Sequence, residues 1–397
     1  MDHSNATDRR NFLAGALAGV AGFGLAAQAQ GRKLRYAVVG AGNRGRNAHL
    51  PLLREHVPEV EVVAICDITP ESLQKALDAT PGAKGYDDHK KMLTAEPNLD
   101  AVVVVIPNFR HAEVAIAALE AGKHVLCEKP LATHVADANR MIQAAQKNNR
   151  ALQVGQQMRY SLVYRRMEEL IRQKAIGDLE YIQANLFRGD WNPRSWRYTD
   201  PDTGKATNWR FLTRCAGSSL MEDGIHELDV IHWLVGADPV RIQAQGGNSV
   251  YKDRETIDNA GLLIEFSNGV HCTFAYTVFT GVRNGRTFRL FGSKAEMTVE
   301  GTPHEPVIVI QPYRGRAERI PAPRFHPEEA SFKEGPGGPD ADIETVREHR
   351  AFVKTILDKA PVFADGRVGR DAVHISAAAE HSLRAGQIIP WSQEEGI

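Results

Sequence analysis

The sequence predicts an α/β chain in two parts: an N-terminal doubly wound parallel sheet, then an α+β domain with a large, mostly antiparallel sheet. Three observations predict it. Apolar runs alternate with helical repeats up to about residue 155, the pattern of a parallel sheet covered by helices on both faces. One run, LDAVVVVIPN at 99–108, stays apolar without alternation, as a strand buried on both sides should. Beyond residue 156, strand-like segments follow one another with Gly, Asn and Ser at their joints, which indicates antiparallel pairing.

The elements follow in order. A short run, Tyr36 to Val39, meets Gly40-Ala41-Gly42-Asn43-Arg44-Gly45, and a helix continues through Leu53. A second strand, VEVVAICD, ends at Asp67. The next helix opens with Thr69 as N-cap, Pro70 at its first position and Glu71 beside it, the residue types that helix starts favour. After the 99–108 strand, RHAEVAIAALEAG is helical and Gly122 stops it. KHVLCEKP is a strand, VADANRMIQAAQKNN a helix and ALQVGQQ a further strand. The second part shows LEYIQANLFRG, AGLLIEFSNG, VHCTFAYTVFT, RTFRLFGS and AEMTVEG as strands, with one helix around Leu220 to Val235. Two helices, 343–359 and 370–386, close the chain and are expected to pack back on the first domain. The Pro- and Gly-rich stretch 320–340 reads as a long surface loop.

Bulk composition excludes several classes. The chain has 397 residues, 43% hydrophobic and 24% charged, with a formal net charge of -1. No basic excess advertises nucleic acid or an anionic membrane. Cys66, Cys127, Cys215 and Cys272 lack CxxC spacing, so neither a zinc site nor a disulfide framework is expected. Residues 1–30 stand apart: Arg9-Arg10, then Asn11-Phe12-Leu13, a Gly/Ala-rich apolar run and Ala27-Gln28-Ala29. A twin arginine before a weakly hydrophobic run and an Ala-x-Ala site resembles a Tat signal peptide. The expected divisions are therefore a 1–30 signal, a 31–155 parallel-sheet domain and a 156–397 α+β domain, in a protein exported to the periplasm with no membrane span in its mature part.

Gly40, Gly42 and Gly45 fit GxGxxG, after a strand and opening a helix, with an acid closing the next strand. Gly40 permits the turn, Gly42 lets backbone approach a pyrophosphate, and Gly45 lets helix pack on strand. Asn43 and Arg44 complete the loop, whose free N–H groups and helix dipole suit phosphate. Asp67 is placed to bond ribose hydroxyls and to repel a 2′-phosphate, so NAD is expected over NADP; Arg44 complicates that preference.

IPNFRHAEVAIAALEAGKHVLCEKPLA and MEDGIHELDVIHWLVG, with the glycine loop, resemble the glucose-fructose oxidoreductase / inositol dehydrogenase (Gfo/Idh/MocA) family from about Leu34 onward. The resemblance implies a Rossmann-type cofactor domain and a site between the two domains. It assigns Lys129 of the Glu128-Lys129-Pro130 stretch to the reacting carbon, where a cation stabilises alkoxide character. It places Glu128, Asn108 and His111 with the cofactor. His226 stands at the general-base position, and a neutral imidazole can take a hydroxyl proton. The family's aspartate position carries Glu222 here, so Glu222 and its neighbour Asp223 both stand as candidates. On a helix, Glu222, His226, Asp229 and Trp233 would share a face, with a carboxylate orienting His226. A metal reading of this Glu/His/Asp set lacks HExxH or CxxC form, and no metal is expected.

Tyr160 stands as an aid to proton transfer or as packing, and Arg159 and Asp229 join it near the substrate. Between Arg188 and Arg214, Trp191, Trp196, Tyr198, Trp209 and Arg210 interleave aromatics with cations. Such a loop suits sugar rings and their hydroxyls; a subunit contact or plain packing are the alternatives. The resemblance further implies a homo-oligomer and a carbohydrate substrate.

Tat export carries folded proteins, so an exported enzyme of this kind would leave with its nicotinamide bound and restore it every cycle. The expected function is an NAD(P)-dependent oxidoreductase acting on CH–OH groups of a sugar, glycoside or polyol. The alternatives are an NAD-dependent glycosidase working by transient oxidation and elimination, as in glycoside hydrolase family 109, and a non-catalytic sugar sensor.

Overall fold

The structure, a computed structural model, describes residues 32–191, 197–199, 204, 206–281, 285–302, 305–329 and 342–392. The twin-arginine segment therefore lies outside the described residues, as does Trp196. Among the described residues no helix is long and apolar enough to cross a membrane.

The first sheet has six parallel strands. They are β1 (Leu34–Val39), β2 (Val60–Cys66), β3 (Lys84–Tyr86), β4 (Ala101–Val104), β5 (His124–Cys127) and β6 (Leu152–Val154), in the order β3-β2-β1-β4-β5-β6. Helices α1 (Leu50–His56), α2 (Pro70–Asp78), α3 (His89–Ala95), α4 (His111–Glu120) and α5 (Val135–Lys147) connect them. All four residues of β4 are buried, as continuous apolar strands in parallel sheets are. Strand order reverses between β1 and β4, and in such sheets ligands bind outside the carboxyl ends of the strands at that switch point. The glycine loop leaves β1 there.

Thr69 does precede α2, but its hydroxyl accepts no helix amide. Several elements escape the sequence pattern, among them the strands Pro239–Gly247 and Pro306–Pro312 of the second part and the three that follow. β3 is a three-residue edge strand with exposed Lys84 and Gly85. α3 is capped by Asp88, whose Oδ1 accepts the Lys91 amide at 2.8 Å. α6 (Leu162–Arg172) buries Met167 and Leu170 and packs Val163, Tyr164 and Ile171 against the core of the large sheet.

The second sheet has nine strands, ordered β16-β15-β14-β13-β7-β12-β11-β10-β17. These are β7 (Leu179–Phe187), β10 (Pro239–Gly247), β11 (Asn259–Phe266), β12 (His271–Thr277), β13 (Gly285–Gly292), β14 (Ala295–Gly301), β15 (Pro306–Pro312), β16 (Glu318–Pro321) and β17 (Ile389–Pro390). β8 (Arg197–Thr199) and β9 (Ala206–Asn208) form a separate hairpin. Neighbours are antiparallel except β7 and β12, which run parallel, so the sheet is mixed. β11 and β12 alternate buried and accessible residues, and the buried face joins Leu228, Ile231 and Met167 in one core. Such one-sided alternation is what a half-covered antiparallel sheet requires.

Two late helices tie the parts together. Gly366–Ala385 places Ile375, Ala378 and Ala379 in the core of the large sheet. It also places Ala372 and Val373 against Val135 of α5. Ile343–Asp358 sends Phe352 and Val353 into the core beneath β1, where Phe352 meets the Tyr36 ring edge-on at 6.1 Å. Burying a phenylalanine of this kind stabilises the fold by roughly 1.5–3 kcal/mol.

Candidate active site

A cleft of about 890 Å³ runs along the carboxyl ends of the parallel strands. Its outer end is the glycine loop. Gly40 has φ +109°, and a Cβ there would overlap the Val105 carbonyl. A Cβ on Gly45 would overlap the carbonyl of Gly40, whereas one on Gly42 would meet only open space. Two glycines thus close the backbone upon itself and the third leaves room, which is a cradle sized for a phosphate group. The chain then makes one π-helical turn, Gly45–His49, into α1, a form often seen at functional sites.

Asp67 braces this loop. Its Oδ2 accepts the Ala41 amide at 2.6 Å and its Oδ1 the Thr69 amide at 2.7 Å. Asp67, Asp87 and Asp88 line the same end of the cleft, with Gly42 and Asn43. Arg110 also lines it but bonds Glu113. The chemistry of these residues suits a dinucleotide: an open glycine cradle for pyrophosphate and a carboxylate for ribose.

Arg44 is drawn the other way. Its Nε donates to Glu128 Oε1 at 2.7 Å, and its terminal nitrogens to Asp342 at 2.5 Å and Thr345 at 2.9 Å. The expected interference of Arg44 with cofactor choice meets a guanidinium already committed on three sides. Burial would raise the Glu128 carboxyl, but Arg44 and the His49 ring outweigh it and hold its pKa well below the usual range. His49 continues the chain to His349, with its ring nitrogens 3.0 Å from Glu128 and 2.9 Å from His349. His111 is fully buried between the carbonyls of Pro130 and Ile106, at 2.7 and 2.9 Å. It does not line the cleft; it joins the ends of two strands and so shapes the cofactor floor from behind.

The inner end is built around Glu222. This residue sits in a π-helical turn, Leu220–Gly224, just before α7 (Ile225–Val235), and is 2% exposed. Its Oε2 accepts from Asn108 at 2.7 Å, and its Oε1 lies 2.7 Å from Arg210 Nε and 3.4 Å from Lys129 Nζ. Lys129 Nζ also donates to the Glu222 carbonyl. Burial pushes the Glu222 pKa up, yet Arg210 and Lys129 prevail and leave it below the ordinary value, so it is a carboxylate. Asp223 points elsewhere. It accepts from Arg188 at 2.8 Å and lies 3.4 Å from the Tyr276 hydroxyl. Of the two acids, Glu222 is the one beside Lys129.

His226 lies on the next turn and, like Asp229, is not among the residues that line the cleft. Its pKa falls well below 6.5, through burial first and then the Lys129 charge. Among the described residues no carboxylate fixes its tautomer as expected: Nδ1 is shielded and finds no partner there, because Glu222 is spent on Asn108, Arg210 and Lys129. Glu227 gives Oε1 to Arg286, and its Oε2 finds no hydrogen-bond partner among the described residues.

The shared helix face splits. Asp229 is 1% exposed and grips Arg159 through bonds of 2.8–3.0 Å. The Arg159 guanidinium lies 5.3 Å from the Trp233 ring. Neither Arg159 nor Asp229 lines the cleft, so the pair that sequence reasoning set near the substrate instead pins α7 to the turn Gln157–Tyr160 that follows β6. Tyr160 is 3% exposed and packs edge-on to Phe363 at 5.5 Å. Of its two expected roles, this geometry is packing. Trp209 and Arg210 line the cleft, with Gln157. Trp191 stands behind them, with the Arg188 and Arg210 guanidinium groups 5.1 and 5.3 Å from its ring. Sequence reasoning missed His49, His349, Asp342 and Thr345, and no motif marks them; only the approach of the late helix to the glycine loop does.

Comparison with known proteins adds independent findings. A family model described as "Oxidoreductase family, NAD-binding Rossmann fold" matches residues 34–156. A second, described as "GFO/IDH/MocA C-terminal domain", matches residues 164–298. Inositol 2-dehydrogenase of Salmonella paratyphi B is 35% identical over 207 residues, 52% of this chain and 55% of that protein. The chain thus spans about half the length of this relative. The inositol 2-dehydrogenase/D-chiro-inositol 3-dehydrogenase of Lactiplantibacillus plantarum is 30% identical over 63% of this chain and 69% of its own. In fold, the chain is similar to levoglucosan dehydrogenase solved with NADH and L-sorbose, at TM-score 0.77 and 22% identity, covering 91% of this chain and 100% of that one.

Proposed function

The chain belongs to the GFO/IDH/MocA oxidoreductase family, and from that premise we propose that it oxidises a secondary alcohol of a polyol or sugar with NAD. The observation that carries this reading is the meeting of Lys129, Glu222, Asn108 and Arg210 at the inner end of the same cleft whose outer end is the glycine loop. The inositol dehydrogenases among its relatives support the substrate class.

Bound NAD supplies a hydride acceptor. The chain's own residues do the rest. Gly40–Gly45 hold pyrophosphate, and Asp67 takes the adenosine ribose. Asp67, Asp87 and Asp88 disfavour a 2′-phosphate by like charge, and Arg44 is committed to Glu128 and Asp342, so NAD is preferred to NADP. Lys129 donates to the substrate oxygen as negative charge grows on it, the kind of oriented donor that lowers such barriers most. Glu222 aims Lys129 from one side and Arg210 from the other. His226, kept neutral by burial and by the Lys129 charge, takes the hydroxyl proton at an imidazole nitrogen. Trp209 offers an indole face for a ring.

The Arg9-Arg10 leader supports an exported enzyme that carries its dinucleotide with it and restores it within each cycle by reducing a second carbonyl compound. A homo-oligomer follows from the family likeness. The test is purification of the full chain from envelope and cytoplasm, mass spectrometry of the bound nucleotide, and absorbance at 340 nm with myo-inositol and a sugar panel. Bound NAD and polyol-dependent bleaching or growth of that absorbance are expected. A protein that neither carries nor takes up dinucleotide would sink the reading.

A further inference from the structure

The wall behind the cleft contains an element that no motif marks. The connection from β10 to β11, Asn248–Asp258, is closed on itself by two side chains. Asp258 accepts the amides of Ser249, Val250 and Tyr251 at 2.7–3.0 Å. Asn248 donates to the carbonyls of Tyr251, Arg254 and Thr256 at 2.8–3.3 Å. A loop this bonded is rigid, and it presents Arg254. The Arg254 guanidinium lies between the rings of Phe211 and Tyr251, 3.8 Å from each. It also pairs bidentately with Asp190 at 2.6 and 2.7 Å. The next two residues grip the same neighbour. Glu255 bonds the Phe211 carbonyl at 3.1 Å and the Thr213 amide at 2.9 Å, and Thr256 the Arg210 carbonyl at 3.1 Å.

These contacts converge on two segments. One is Asp190–Trp191, which leaves β7; the other is Trp209–Thr213, which brings Trp209 and Arg210 into the cleft. Between them Trp191 is flanked by Arg188 and Arg210. We propose that Arg254 is a positioning residue for substrate choice, clamping the Asp190–Trp191 and Trp209–Arg210 segments so that Arg210 meets Glu222 at one fixed depth. Planar stacking on two rings and a two-pronged carboxylate bond suit arginine and not lysine. Displacement of a substrate-facing group by about 1 Å can cost on the order of 100-fold in turnover, so control at one remove is physically sufficient.

The kinetic part of the test rests on the oxidoreductase reading; the structural part does not. In the full-length protein with NADH added, Arg254→Lys and Arg254→Ala are compared with wild type by amide hydrogen exchange. Exchange across 209–213 should quicken about tenfold or more as local opening becomes easier, with the Gly40–Gly45 amides unchanged. In assays with myo-inositol, KM for the polyol should rise about tenfold for Arg254→Lys, since the fork and the plane are lost together, while KM for NAD holds. Wild-type exchange in both variants overturns the proposal, as does a rise in KM for NAD in step with that for polyol. Should Arg254→Ala fail to fold, Arg254→Lys alone decides. Should wild type turn over no polyol, the oxidoreductase reading falls and the exchange measurement still decides whether Arg254 clamps this wall.

Discussion

Lys129 and Glu222, 93 positions apart in sequence, meet with Nζ 3.4 Å from Oε1, and the same amine bonds the Glu222 carbonyl. One residue comes from the end of a parallel strand and the other from a π-turn in the second domain, so the contact exists only when the two are docked. Glu222→Gln keeps the shape and an acceptor for Asn108 but removes the charge facing Lys129 and Arg210. We expect kcat/KM for polyol oxidation to fall about 100-fold, the size of losing one oriented electrostatic partner, with NADH affinity unchanged. Steady-state kinetics beside an NADH titration checks this; unaltered turnover would remove Glu222 from the chemistry.

Acid tolerance should follow from His226. Burial and Lys129 lower its pKa well below 6.5, so the ring stays neutral, and able to accept a proton, at pH values where a free histidine is charged. The acidic limb of the kcat/KM profile should therefore break below pH 6.5, and His226→Ala should abolish turnover while leaving the nucleotide bound. A break at or above 6.5 would show that another group carries the proton.

Cofactor choice should turn on Asp67. Asp67→Ala removes a carboxylate from the ribose end and also leaves the Ala41 and Thr69 amides without their acceptor. NAD binding should weaken and the NAD/NADP preference shrink by about tenfold, equivalent to about 1.4 kcal/mol. Titration with both reduced dinucleotides measures it. An unchanged ratio would pass the discrimination to Asp87 and Asp88.

The three glycines should separate fold from function. Gly40→Ala forces a Cβ onto the Val105 carbonyl at φ +109°, and should cost about 3 kcal/mol or more of stability. Gly42→Ala meets only open space, so thermal stability of the nucleotide-free protein should hold while NADH affinity drops. Melting curves with and without NADH report both. Equal melting losses in the two variants would contradict the assignment.

Stability should decline with acid in two stages. His349 is held neutral, its pKa driven well below 6.5 by burial and by His49. The unfolded chain binds that proton first, so stability starts to fall as pH drops below 6.5. Glu128 is held well below 4.5 in the fold, so its contribution is intact above 4.5 and is lost as pH falls through its lowered pKa. Glu348 opposes both, with its pKa raised well above 4.5 by burial and the Glu128 charge; it favours the fold at low pH and less as pH rises through that raised value. Glu128→Gln should flatten the lower stage in a melting series from pH 7 to 3.

The parallel sheet and its loop were legible because each carries a local signature: β1 into Gly40, β4 apolar throughout, Asp67 closing β2. Lys129 and Glu222 were legible only through likeness, since nothing local says that a strand end and a distant turn will touch. Asp229 shows the limit of helical spacing. It does lie on the expected helix, but Arg159 reached it first, and a buried guanidinium outcompetes a ligand for a buried acid. β3 and α3 were missed because such short elements leave little apolar rhythm, whereas the apolar face of α6 and the strands β10 and β15 carried a pattern that went unread. The Arg44–Asp342–Thr345 link spans almost 300 positions, and no spacing rule reaches that far.

Phe352 and Val353, from near the end of the chain, complete the core under the strand that begins the cofactor sheet. A shortened gene ending after β6 would therefore leave a hole where the Phe352 ring belongs and strip Asp342 and Thr345 from Arg44. The nucleotide-binding portion is not a detachable cassette, since Phe352 and Val353 are part of its own core. A deletion that removes the Ile343–Asp358 helix should thus be felt beneath β1, about 300 positions earlier.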